Sequence, residues 1–287
     1  MNDLFEKYEK YSNYYILPDD GKNFLRNSVK KICEDENLCI QALNIKSKLS
    51  DLKSDFNSDA EFKNYSPQFG AFVYTLSIED MEKLYAEKNI PSDILYATIN
   101  DLAVWINRHH EWFNEWGFSQ YGWIIHHIRG KIFKLGRLQF EMQKTGKYEL
   151  PPEELHLDIK LGDRYLNVHI PRGGKLDEAA CLESFDMAKE FFPKVLNFDF
   201  KAFGCFTWLF DPAFEKLLPS DSNILKFQNL FTRFPGSESY GGLDYVFVNI
   251  TKDNIKDAPT DTYFRKKLVE HILSGGIMQT GGGFRIK

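Results

Sequence analysis

The sequence has few cysteines, no long apolar run and no excess of positive charge. Its four cysteines, among 287 residues, are scattered without a CxxC pair, and a chain of this length can build a core without disulfides. No apolar stretch approaches the roughly 20 residues that cross a bilayer. The first residues also lack the basic-then-apolar pattern of a secretory signal. We therefore expect a cytoplasmic protein with reduced thiols and no membrane partner.

The charge balance and the histidine spacing argue against two further classes. Lys and Arg total 36 against 41 Asp and Glu, a net charge of -5, so we expect no nucleic-acid partner. Zinc-binding HExxH or Cys/His spacings are missing. Histidines occur in two adjacent pairs, His109-His110 and His126-His127. On a helix the two side chains of such a pair point about 100° apart, so each pair offers one ligand to a given site. We expect no metal.

What the sequence does have is aromatic content, 15% of residues with 25 Phe, 14 Tyr and 5 Trp. Most of these rings are expected to fill the core. Several indoles precede residue 134, and part of this group could instead wall an apolar acceptor pocket, since such pockets favour domain interfaces. Core packing and a pocket wall both remain open for these four residues: Trp105, Trp112, Trp116 and Trp123.

The apolar period changes near residue 134, which predicts two domains. Residues 1–134 have helical spacing, clearest after Pro91, where Ile94, Leu95, Ile99 and Leu102 share one face. From Arg137 to Met142 polar and apolar residues alternate, as in a strand. The pattern predicts a helical domain over 1–134 and a mixed α/β domain over 135–287. The later elements are expected to be strands 155–161, 165–170, 200–210 and 245–250, helices 176–192, 222–231 and 263–273, a short helix from Asp211-Pro212, and a glycine-rich tail 275–287.

One loop in the second domain has the chemistry of an anion site. The strand 165–170 runs through Pro171 into Arg172, Gly173, Gly174 and Lys175 before the next helix. Glycines allow close backbone approach, exposed N–H groups and the helix dipole favour negative charge, and the two basic residues add donors. The motif is neither a P-loop nor a dinucleotide fingerprint. An ordinary strand-to-helix turn is the alternative interpretation.

Several segments resemble the C-terminal domain of a family of GNAT-like acyltransferases, in which a helical N-acyltransferase N-terminal domain precedes a GNAT-like domain. They are GRLQFE (136–141), LNVHIPRGGKL (166–176), the stretch 205–231 and YVFVNI (245–250). The resemblance implies an α+β protein that transfers an acyl group from acetyl-CoA or another acyl-CoA to an amine of a small molecule or peptide.

The resemblance also implies roles for particular residues. It places the CoA pyrophosphate on Arg172, Gly173, Gly174 and Lys175, and pantetheine between strands 165–170 and 200–210. Asn223 would begin a helix near whose end many relatives carry a general-acid Tyr, and here Phe231 stands at about that place. A phenyl ring donates no proton. This departure favours the alternative of a non-catalytic GNAT-like protein that binds a ligand or partner.

Amine acylation needs a base to keep the nucleophile neutral. Two residues are candidates. Glu141 lies on the strand GRLQFE, where it could instead be an outward carboxylate paired with Arg137, since alternation puts both on one face. His169 ends the strand before the glycine loop, where it could instead be a buried polar residue satisfied by backbone.

Overall fold

The chain is described from Asn2 to Lys287 in a computed structural model, and it divides into two compact units. The first unit holds the chain up to Lys134 together with Pro171–Gly173, and the second holds Leu135–Ile170 together with Gly174–Lys287. In the described residues no helix is both long and apolar enough to cross a membrane.

The first unit is helical and is built around one fully buried helix, α5. All residues from Gln68 to Leu76 in α5 are buried, and α5 contacts α1, α2 and α3. Ser66 starts it by accepting a hydrogen bond from the N–H of Phe69, with Pro67 in the first turn. The helices of this unit are α1 (Asn2–Ser12), α2 (Asp19–Glu34), α3 (Glu36–Ser50), α4 (Ser58–Phe62), α5 (Pro67–Leu76), α6 (Ile78–Glu87), α7 (Ser92–Phe113) and α8 (Tyr121–Ile128).

The long helix α7 confirms the pattern that predicted it. It begins directly after Pro91, buries its apolar face, and ends where Asn114 adopts a φ of 52°. Gly21 lies in the first turn of α2, where a glycine weakens a helix. A Cβ on Gly21 would lie 2.9 Å from the ring of Trp116. The glycine therefore makes room for an indole and does not break the helix.

The second unit carries a mixed sheet in the order β2-β3-β4-β6-β5. β2 and β3 are antiparallel, β3 and β4 are parallel, and β6 is antiparallel to both β4 and β5. The short strand β1 (Ile132–Leu135) spans the boundary between units. The other elements are β2 (Leu138–Lys144), β3 (Arg164–His169), α9 (Glu178–Leu196), β4 (Ala202–Thr207), α10 (Phe214–Leu217), α11 (Asn223–Gln228), β5 (Thr232–Glu238), α12 (Leu243–Val246), α13 (Tyr263–Leu273) and β6 (Gln279–Ile286), with 3-10 turns at Glu153–Leu155, Trp208–Phe210 and Ile255–Asp257.

Two predicted strands are wrong. The stretch 155–161 is a 3-10 turn followed by irregular chain, because Asp163 accepts from the N–H of Lys160 and Gly162 donates to the carbonyl of Thr145, which closes the segment into a loop. The stretch 245–250 is the end of α12 and a turn. The carbonyl of Val246 accepts from the Arg265 guanidinium, so it is not part of a ladder.

The glycine-rich tail contains the strand that completes the sheet, which the sequence did not predict. β6 pairs six residues of β4, from Ala202 with Ile286 to Thr207 with Gly281. Its glycines are needed because aromatic rings lie against the backbone. A Cβ on Gly282 would lie 2.4 Å from the ring of Phe234, and one on Gly283 would lie 2.9 Å from that of Phe210.

Gly204 on β4 provides a test of this packing. A Cβ there would lie 2.7 Å from the ring of Tyr165 and 2.9 Å from that of Phe284. We expect Gly204→Ala to destabilise the protein by about 1–3 kcal/mol in chemical unfolding, the usual effect of overpacking a core. Gly122→Ala is the control, since its Cβ would meet only Ser58 at 3.5 Å in a helix that favours alanine. Equal effects of the two changes would contradict the packing argument.

Candidate active site

The site is built where β3 parts from β4. The parallel ladder joins residues 165–167 to 202–204. Beyond it, β3 continues to His169 along β2, and β4 continues to Thr207 along β6. Each strand is therefore held on its outer side while the two inner edges separate. The predicted pair 165–170 and 200–210 is present as these two parallel neighbours.

The loop after β3 has the backbone that the anion interpretation requires. Gly173 has a φ of 89° and Gly174 a φ of 76°, in the region that favours glycine. Both residues are exposed. Apart from the residues on either side of each glycine, no heavy atom of the described chain lies within 4 Å of where its Cβ would stand. The loop therefore presents bare main chain to solvent, and Lys175 is exposed beside it.

Arg137 holds the far side of this loop. Its Nε donates to the carbonyl of Lys175 at 2.9 Å and its Nη2 to that of Gly174 at 3.4 Å. Its own N–H donates to Ser184 of α9 at 2.8 Å, and burial lowers the pKa of Arg137. In a trans peptide the following N–H points opposite to the carbonyl. The N–H groups of Lys175 and Leu176 therefore point away from Arg137.

Helix α9 begins at Glu178, slightly after the predicted start. Asp177 caps it by accepting from the N–H of Ala180 at 3.1 Å. The capping carboxylate occupies part of the positive end of the helix. An anion at this loop would therefore depend on the loop's backbone N–H groups as well as on the helix dipole.

Arg172 is already paired in this structure. Its Nη1 donates to Glu111 Oε2 at 2.5 Å, and the same oxygen accepts from Arg108 Nη1 at 2.6 Å. All three residues belong to the first unit. Burial alone would raise the pKa of Glu111, but the hydrogen bonds from the two arginines outweigh it and lower that pKa.

The two candidate bases are in contact. Glu141 Oε2 lies 3.1 Å from His169 Nε2, as diagonal neighbours on one face of the β2–β3 pair, where Glu141 is opposite Asn167 and His169 is opposite Gln139. The Glu141 side chain is 6% exposed and that of His169 is 23% exposed. The histidine is therefore the member of the pair that solvent or a substrate can reach, with the carboxylate behind it.

Polar groups around this pair are not fully used. Asn167 Nδ2 lies 3.3 Å from the same His169 nitrogen. Asn167 Oδ1 and Gln139 Nε2 are buried with no hydrogen-bond partner among the described residues. Buried polar groups normally have partners, so this face has hydrogen-bonding capacity for a ligand or water. Strand alternation places Asn167 on the same face as His169, but no motif in the sequence marks it as a site residue.

Asn223 and Phe231 lie in a different environment. Asn223 begins α11, a six-residue helix that Ser222 caps by accepting from the N–H of Leu225. The helix ends at Gln228, earlier than predicted. Phe231 is 7% exposed and packs against Phe185 and Phe210. It is a core ring.

The indoles and histidines before residue 134 have partners within the first unit. Trp105 and Trp123 both donate to the buried carboxylate of Asp101, at 3.2 and 2.8 Å. The guanidinium carbon of Arg108 lies 4.7 Å from the ring centre of Trp112. His110 stacks on Trp116 with ring centres 3.8 Å apart. Among residues 2–287 no group of three or more His, Cys, Asp or Glu could hold a metal ion.

Comparison with known proteins gives a fold and a family. The solved structures that share this fold include a mutant acyltransferase, orf11*, in complex with octanoyl-CoA. It is 20% identical and has a TM-score of 0.78, over 98% of this chain and 88% of that one. An acyltransferase in complex with decanoyl-CoA is 20% identical with a TM-score of 0.78, over 99% and 86%. An acyltransferase in complex with decanoyl-CoA and teicoplanin is 21% identical with a TM-score of 0.70, over 99% and 87%.

No curated protein matches the sequence. Family models do match nearly the whole chain. Residues 14–130 match the N-acyltransferase N-terminal domain, and residues 132–285 match the GNAT-like C-terminal domain. The chain therefore belongs to the family in which a helical N-acyltransferase N-terminal domain is followed by a GNAT-like C-terminal domain.

Proposed function

We propose that the protein is an acyl-CoA-dependent N-acyltransferase. One observation carries the proposal. The strand β3 ends with the half-buried His169, which contacts the buried Glu141, and the open glycine loop follows four residues later. The histidine can accept and donate a proton, and the loop can bind phosphates. The acyltransferases with this fold that are described in complex with octanoyl- or decanoyl-CoA support acyl-CoA as the co-substrate.

The acceptor is proposed to be an amine of a small molecule or peptide. Teicoplanin is bound together with decanoyl-CoA by one acyltransferase that shares this fold. The hydrogen-bonding capacity at Asn167 and Gln139, on the same face as His169, suits a polar acceptor. The identity of that amine is a separate question from the chemistry.

The mechanism depends on which ring nitrogen of His169 carries the proton. If Nε2–H donates to Glu141, the lone pair on Nδ1 is left as the base. The amine nitrogen attacks the thioester carbonyl carbon, the carbon–sulfur bond breaks, and Nδ1 takes the proton released from nitrogen. The imidazolium then returns this proton to the CoA thiolate, directly or through water. The products are an amide and CoA, with no net change in protons.

This sequence of steps needs no tyrosine at position 231. The phenyl ring of Phe231 lies in the core and donates no proton, but the imidazolium formed in the first step can reprotonate the thiolate. One ground for the alternative, a GNAT-like binding protein without turnover, is the phenyl ring at position 231. The buried carboxylate behind an accessible histidine favours the enzyme, since desolvating a carboxylate is unfavourable unless it is paired.

The simplest test of the function is ligand binding followed by turnover. Octanoyl-CoA at 100 times its Kd should raise the stability of the protein by roughly 2.7 kcal/mol, which a thermal shift measures. Release of CoA in the presence of an amine library would then distinguish an enzyme from a binding protein. The absence of any shift with acetyl-, octanoyl- and decanoyl-CoA would reject the proposal.

The contact between Glu141 and His169 gives a sharper prediction. We expect Glu141→Gln and His169→Ala each to lower kcat by roughly 10²–10⁴, the usual contribution of a general base, with little change in CoA affinity. The double variant should be no worse than the poorer single one, because the two groups act as a unit. Steady-state kinetics and calorimetry with CoA measure both quantities.

Glu183→Gln is the matched control, the same chemical change at an exposed position of α9. It should leave turnover unchanged. Full activity in both Glu141→Gln and His169→Ala would remove these residues from the mechanism while leaving CoA binding intact.

The glycine loop gives a third prediction. Gly174→Ala puts a Cβ on the surface proposed to meet the pyrophosphate and strains a φ of 76°, so we expect at least tenfold weaker CoA binding. Gly162→Ala is the control, since Gly162 has a φ of 85° and the same open surroundings in another turn of the unit. Both changes should destabilise the protein by about 1–3 kcal/mol. Equal CoA affinity in the two variants would mean that the loop is only a turn.

A further inference from the structure

The contact between Arg172 and Glu111 occupies a residue that the proposed function needs for phosphate. Arg172 directly precedes the two glycines, and its side chain is 41% exposed. Its Nη1 is 2.5 Å from Glu111 Oε2. A guanidinium engaged with a carboxylate has to give up or share that contact when a phosphate group arrives.

Arg108 makes such an exchange favourable. It lies one helical turn before Glu111 on α7, its side chain is 4% exposed, and its Nη1 donates to the same Oε2 at 2.6 Å. The charge of a buried arginine requires an anion nearby. When Arg172 leaves, Glu111 keeps Arg108 as its partner, so neither the buried Arg108 nor the half-exposed Glu111 loses its counter-charge.

We propose that the Glu111 carboxylate occupies the Arg172 guanidinium in the free protein, and that a phosphate group of acyl-CoA replaces this carboxylate when acyl-CoA binds. The inference rests on the proposed function and adds to it a competing group within the protein. Arg172 turns from the Glu111 carboxylate to a phosphate oxygen, and Arg108 retains Glu111. The contribution of Arg172 to acyl-CoA affinity is then the difference in free energy between its contact with the phosphate and its contact with Glu111. Phosphate is the fitting ligand because arginine forks match its oxygens and the next two residues expose backbone.

The experiment compares CoA binding by calorimetry at low salt in variants that change one contact at a time. Glu111→Gln should bind CoA roughly two- to fivefold more tightly than the unmodified protein, because it removes a competing ion pair of the half-exposed kind. Glu115→Gln is the control. It removes one negative charge just beyond the end of α7, from a side chain that accepts from Gln68, and should change the affinity less.

The decisive variant is the pair Arg172→Ala with Glu111→Gln. If the carboxylate competes only through Arg172, Glu111→Gln should give no gain once Arg172 is absent. Thermal unfolding of each variant checks that the helical unit remains folded. A gain that persists without Arg172, or one that Glu115→Gln reproduces, would overturn the proposal.

Two phosphate groups of CoA could take this position, and dephospho-CoA separates them. If the increase in affinity caused by Glu111→Gln disappears with dephospho-CoA, Arg172 binds the 3′-phosphate monoester. If the increase remains, Arg172 binds the pyrophosphate. Failure of CoA to bind any of these proteins would reject the proposed function itself. CoA binding without a Glu111→Gln gain rejects only the exchange at Arg172.

Discussion

The candidate site depends on a short parallel ladder. β3 and β4 share only the pairs 165–167 with 202–204, whereas β2 pairs with β3 as far as His169 and β6 pairs with β4 as far as Thr207. If the ladder between β3 and β4 were longer, the N–H and C=O groups just before the loop would form hydrogen bonds within the sheet. Its early end leaves His169 and the chain that follows it at an open edge between two strands, where a ligand can meet main-chain groups that water otherwise satisfies. The chemistry proposed for this protein follows from that geometry.

Two arginines then determine what the loop can bind, and they act in opposite ways. Arg137 is half-buried and holds the carbonyls of Gly174 and Lys175, so it orients the main chain of the loop. Arg172 is half exposed and is available only in competition with Glu111. A charge count of the loop would treat the two residues alike. Their partners separate a positioning residue from a binding one, because Arg137 holds main-chain carbonyls of the loop itself, whereas Arg172 pairs with a carboxylate that another anion can replace.

The sequence predicted the parts whose signal is local. The helix after Pro91, the strand from 137 and the loop between Pro171 and Leu176 follow from capping, period and glycine placement, and the structure confirms the helix and the strand. β6 could not be predicted in this way, because Gly281, Gly282 and Gly283 have poor strand propensity and are there to fit under rings from distant segments. The pairing of Glu141 with His169 needed the β2–β3 register, and the contact of Glu111 with Arg172 joins residues 61 apart in the chain. Such contacts depend on tertiary structure that no local pattern encodes.

The position of Phe231 shows why a missing catalytic residue and a missing activity are different matters. In the sequence, a phenyl ring where relatives are expected to have a tyrosine argues against turnover. In the structure that ring packs with Phe185 and Phe210 in the core, where a hydroxyl would need a buried partner or be left unsatisfied. In the proposed mechanism, the proton that such a tyrosine would supply comes instead from the imidazolium of His169, since the amine releases one proton for each thiolate that leaves. One residue would then act first as base and then as acid, and the buried Glu141 would stabilise the charged state between the two steps.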